Sequence, residues 1–174
     1  MNTIRNEIDK TALSYWFPKL VEAGIPVPRT KIIHMPEKAQ KVIWEMFDGN
    51  ESNRGDALEF AAELTTAGAE MGMPFFLRTD HTSAKHGWED TCFVKSIETT
   101  MSHVYNIVEF SEMASIIGLP FDTWAVREFL PTIPVGVCPR YGNMPVCREF
   151  RYFVEDGPSG LTGSAAFDPE GSPA

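Results

Sequence analysis

Long apolar runs are missing from this chain of 174 residues, and none approaches the length of a membrane span. The first ten residues, Met1 to Lys10, lack the apolar core of a secretory leader. Cysteine is scarce: Cys92, Cys138 and Cys147, with no CxxC pair, read as reduced thiols in a cytosolic protein. Basic residues are outnumbered, 15 against 24 acids, for a net charge of −9. That balance argues against nucleic acid or an anionic membrane as the main partner. No zinc-type spacing is present, so Asp80, His81, His86, Glu89, Asp90 and Cys92 read as loop surface and core residues rather than as a metal site. A GxSxG elbow is also lacking, which sets Ser/His/Asp hydrolysis aside. There are no internal repeats.

What is present is an ordinary globular composition, with 43% apolar residues, enough for one domain or two small lobes. The stretch that carries chemistry runs from Pro74 to Val94. Phe75-Phe76-Leu77 and Thr91-Cys92-Phe93-Val94 are β-rich runs that predict two paired strands. Arg78 ends the first. Between the runs lies a loop rich in hydroxyls, with Thr79, Thr82 and Ser83, and a second cation, Lys85. Backbone N–H groups and hydroxyls can surround phosphate oxygens while cations offset their charge. A solvated surface hairpin stands as the competing reading.

Around this stretch the chain alternates helices and strands. Residues 10–24 predict a helix broken at Pro18 and capped by Gly24, then the extended Ile25-Pro26-Val27-Pro28 and a strand over 29–34. Pro36 is placed to open a helix over 37–47. Asp56 reads as the cap of the next helix, with an apolar stripe of Leu58, Ala61, Ala62, Leu64 and Ala67 to Met71, ended by Gly72 and Pro74. A further helix is expected over 99–117, a strand over 124–130, turn chemistry at Tyr141-Gly142-Asn143, and one strand over 146–154. In that last strand Glu149 and Arg151 share a face, as a surface ion pair or as the wall of a charged cleft. From residue 158 the Gly, Pro and Ser content predicts a flexible tail.

Four segments in order, YWFPKLVEAGIPVPRT, PFFLRTDHTSAKHGWEDT, WAVREFLP and VCREFRYFVEDG, resemble the ATP-grasp superfamily of ATP-dependent carboxylate–amine ligases. The resemblance is to its compact phage and bacterial branch and, more distantly, to the eukaryotic cell-division-cycle protein that assembles an initiation factor. It implies an α/β (α+β) fold of two lobes, antiparallel sheets flanked by helices, with ATP between them. It divides the chain into an N-terminal unit over 1–35, a first lobe over 36–123, the start of a second over 124–157, and a tail over 158–174. Arg78 would reach the phosphates, with Thr82, Ser83 and Lys85 on the loop that closes over them. Glu128, Phe129 and Leu130 match the adenine-binding hinge. Glu149 and Arg151 match the strand that approaches the transferred phosphate. Mg²⁺ belongs to the family's chemistry, but the acid-x-Asn pair that holds it is not found after the EFR segment, so the second lobe reads as incomplete. The substrates implied are the nucleotide and a carboxylate and an amine that the sequence does not name. A binding module without chemistry, with a nucleotide or a protein as partner, is the alternative.

Overall fold

The computed structural model describes residues 9–50, 54–113, 119–148, 150–154 and 161–166. Its centre is a four-stranded antiparallel sheet in the order β1-β4-β2-β3, made of β1 (Thr30–His34), β2 (Phe75–Thr79), β3 (Phe93–Val94) and β4 (Thr123–Glu128). The pleat sends alternate side chains to opposite faces. On one face Trp124 and Val126 of β4 join Phe75 and Leu77 of β2, Ile33 of β1 and Val94 of β3. All are buried, and helices α2 (Glu37–Phe47), α3 (Gly55–Met71) and α4 (Thr100–Met113) cover them. Val42, Ile43, Phe60, Leu64, Val104, Ile107 and Val108 are their main contributions. Each such side chain taken out of water contributes about 1.5–3 kcal/mol, which makes this layer the core. The expected mixed α/β class with antiparallel sheets is therefore what is observed. Among the described residues no helix is long and apolar enough to cross a membrane.

Among the described helices, α1 (Leu13–Glu22) is the one on the opposite face of the sheet, packed through Leu13 and Phe17 on Ala125 and Ile32. Pro18 does not break this helix. A proline at its sixth position removes one backbone bond, and the packed apolar side holds the turns together. Gly24, at φ +68, lets the chain leave the helix: its N–H donates to Val21 O and that of Ile25 to Leu20 O. The strand after the Pro-x-Pro segment and helix α2 follow the expected boundaries.

Four expectations shift. The buried side of α3 is Ala57, Phe60, Ala61, Leu64, Ala67 and Gly68, whereas Leu58 and Ala62 point to solvent. Asp56 is in the first turn of that helix rather than capping it, and pairs with Lys38 at 2.8 Å. The single strand expected over 146–154 is split. Its start belongs to a hairpin of β5 (Gly136–Cys138) and β6 (Met144–Val146), and its end, β7 (Phe150–Val154), pairs with β8 (Leu161–Ala166). Strand β8 lies within the stretch expected to be a tail.

Candidate anion-binding face

Beside α1, the same face of the sheet brings two cations and several rings together. Opposed residues of an antiparallel ladder share a face, and the pairs here are Arg78 with Ala125, Phe76 with Arg127 and Phe76 with Phe93. Arg78 and Arg127 are thus diagonal neighbours on adjacent strands, a spacing long side chains bridge. Both are half-buried. Arg78 donates from Nε to Thr79 O at 2.9 Å and from Nη2 to Asp80 O at 3.1 Å. Arg127 donates from Nε to Thr30 Oγ1 at 3.2 Å. Among the described residues neither has a carboxylate ion-pair partner. Burial, then the neighbouring Arg127 charge, lowers the pKa of Arg78 against the pull of Asp80, and burial lowers that of Arg127. Arginine stays protonated under such pressure. Two like charges on neighbouring strands, with donors to spare, suit an anion with several oxygens.

Asp80 braces this arrangement. Its carboxylate accepts from Ser14 N at 2.8 Å and Ser14 Oγ at 2.6 Å, and its carbonyl accepts Leu13 N. A carboxylate there satisfies the free N–H groups at the start of α1 and suits the helix dipole. One residue thereby ties α1 to the loop and holds Arg78 through its main chain.

Beside the cations lies a group of rings. Trp88 is buried and stacks on Phe93 at 4.9 Å and 15°. Phe129 stands 4.9 Å from Phe93 and 6.4 Å from Trp88, and Phe76 is 6.0 Å from Trp88. Phe76, Phe93 and Phe129 are half-exposed. They form an aromatic shelf that adjoins Arg127 through Phe76, its ladder partner.

The loop after Arg78 is folded rather than open. Thr79 N donates to Thr82 O, Thr82 N to Thr79 Oγ1, and Ala84 N to Thr82 Oγ1. Ala84, at φ +46, puts its methyl into the helix-side core, and Thr91 Oγ1 donates to the carbonyls of both Ala84 and Gly87. Thr82 and Ser83 are half-exposed, one turn from Arg78. Lys85 is exposed beyond Ala84, and the charge it projects acts on buried Cys92. The charges acting on Arg78 are those of Arg127 and Asp80. The cation brought beside Arg78 is therefore Arg127, which the sequence reading passed over. Its signal was there in WAVREFL: with Trp124 and Val126 facing inward, Arg127 must share the outer face with Ala125.

The other expected residues fall as follows. Glu128 belongs to the opposite face from Arg127. Its carboxylate accepts from Arg29 N and Nε, each at 2.8 Å, and the Arg29 side-chain bond holds it below the usual carboxylate range. Phe129 is in the shelf, and Leu130 is half exposed just past β4. Arg151 is on β7, and Glu149 lies outside the described residues. Among the described residues no three His, Cys, Asp or Glu side chains are grouped to hold a metal ion. No family model matches the chain, and no curated protein matches it.

Proposed function

We propose that this chain binds a nucleoside triphosphate on the open face of its sheet, the phosphates on Arg78 and Arg127 and the base on the shelf of Phe76, Phe93 and Phe129. The class is a nucleotide-binding α/β protein. Within it the reading is an ATP-grasp protein, either an ATP-dependent carboxylate–amine ligase or a relative of one that binds without turnover. The observation that carries this is the pair of half-buried guanidiniums, without carboxylate partners among the described residues, next to stacked rings. Phosphoryl transfer needs positioning and charge neutralisation above all, and such a face supplies both. The hydroxyls of Thr82 and Ser83 and the ammonium of Lys85 are the groups of the neighbouring loop that would follow the phosphates. Leu130 and the main chain at Glu128 and Phe129 border the base. Arg151 and Glu149 would act on the transferred phosphate. Three cysteines that form no disulfide support placement in a reducing cytosol.

Titration calorimetry with ATP tests the proposal. Removing one charge-assisted contact costs about 1.5–3 kcal/mol, so Arg78→Ala and Arg127→Ala should each weaken ATP by about 10- to 100-fold. Unchanged affinity in both variants sinks it. The two forms of the proposal then separate on turnover. ATP-dependent phosphate release stimulated by amino acids or peptides identifies the ligase. Weak binding that does not depend on Mg²⁺, with no release, identifies the binding module.

A further inference from the structure

The loop between β2 and β3 is touched from outside the sheet. The turn Pro139–Tyr141, at the tip of the β5–β6 hairpin, lies against the turn Lys85–Gly87. The Tyr141 ring meets the His86 imidazole edge-on at 4.6 Å, and His86 in turn stacks on Phe110 of α4 at 5.6 Å and 24°. Gly142 follows at φ +59, and a Cβ there would stand 3.3 Å from Trp88 N. Glycine is needed twice over, for its backbone angle and for the close approach of two main chains. The residue it presses on, Trp88, is the buried base of the aromatic shelf.

We infer that the hairpin tip, through Tyr141 on His86 and Gly142 on Trp88, positions the aromatic shelf and so sets the base-binding half of the site independently of its phosphate-binding half. The inference rests on the nucleotide reading above. The phosphate half has its own supports, none of them in the hairpin: Thr79 O and Asp80 O hold Arg78, Ser14 holds Asp80, and Thr30 holds Arg127. The far end of the loop is pinned by Thr91 and by Asn106 Nδ2 on Asp90 O. The segment His86 to Trp88 is held from within at Gly87 O and Trp88 O, and the hairpin tip packs on it from outside. Tyr141, His86 and Gly142 are positioning residues: they act on the ligand through the rings of Trp88, Phe93 and Phe129.

The test compares ATP with inorganic tripolyphosphate, which has no base, in the wild type and in Gly142→Val, Tyr141→Ala and His86→Ala. Amide exchange over residues 85–90 is followed without ligand. The expected result is ATP affinity lower by about tenfold, the scale of losing one or two ring contacts, tripolyphosphate affinity within about twofold of wild type by the same scale, and faster exchange at 85–90. Tyr141→Phe, which keeps the ring, restores ATP binding. Equal loss of both ligands overturns the inference, as does unchanged ATP affinity. Should Gly142→Val not fold, Tyr141→Ala and His86→Ala carry the comparison. If the wild type binds neither ligand, the nucleotide reading has failed, and exchange alone decides the positioning role: unchanged rates at 85–90 overturn it and faster rates support it.

Discussion

His103 shows what a single buried group does to this fold. Its Nδ1 lies 2.6 Å from Thr91 O and donates to it, which orders the strand entry below the loop. Burial lowers its pKa from 6.5, against the opposing effects of that hydrogen bond and of Asp90. The unfolded chain therefore takes up the proton at a higher pH than the native one. Stability is complete above about pH 6.5 and falls as pH drops toward the lower native value, by at most about 1.4 kcal/mol per pH unit. Urea unfolding at pH 7.5 and 5.5 checks this, with His103→Gln as the comparison. The wild type should lose more than the variant between the two pH values, and an identical loss refutes the assignment. Gly68 is the second such residue. It sits on the buried side of α3 against the Phe75 ring, and a methyl there would overlap that ring. Alanine gains about 1 kcal/mol of helix propensity and meets an overpacking cost of about 1–3 kcal/mol. Gly68→Ala should thus destabilise, read as a lower urea midpoint at unchanged slope. A more stable variant would mean the helix does not approach the sheet this closely.

Among the elements, α1 depends most on a distant residue. Ala12 at its N-cap makes no side-chain cap bond. The cap is supplied across the fold by Asp80. Losing a cap of this kind costs about 0.5–2 kcal/mol. Asp80→Ala should lower stability by that much, and it should also speed amide exchange in the first turn of α1, since the helix start loses its acceptor. Exchange unchanged at residues 13–15 would refute the cross-fold cap. No local pattern reveals such a bond, and this marks where sequence reading stops. Helix α2 was legible because Ala39, Val42 and Ile43 recur at helical spacing after Pro36. The bounds of α3 were legible from Gly72, but its rotation was not: small residues surround it, and the side that turns inward is chosen by the Phe75 ring needing Gly68. The strand pair around the loop was legible from its apolar runs. The break after Val146 was not, because alternation continues through Cys147 and Arg148 although the ladder has ended. Arg78 was legible as a cation near the end of an apolar strand. That Arg127 lies beside it was not legible, because this comes from the register of β4 against β2, a non-local fact.

At the scale of the whole molecule, the two core clusters of the described residues lie between Leu13 and Val126. Beyond them, Ile133, Val135 and Val137 are 91%, 57% and 60% exposed on the segment leading into β5 and along it. Strands β5–β6 and β7–β8 form two sheets of two strands each, a size that is marginal without support. The contact of the hairpin tip with the loop, at His86 and Tyr141, is one such support, and aromatic pairs of this kind contribute about 0.5–1.5 kcal/mol. A chain ending at Leu130 should therefore keep a single cooperative urea transition, with stability lower by about that amount and near-ultraviolet dichroism from buried Trp124 intact. It should also retain tripolyphosphate, because Arg78, Arg127 and their supports all precede the cut, while ATP binds more weakly for want of a fixed shelf. A truncated chain without a cooperative transition would show that the four-stranded sheet and its helices do not form a folding unit by themselves. One that folds but loses both ligands would place part of the anion seat in the strands that were removed.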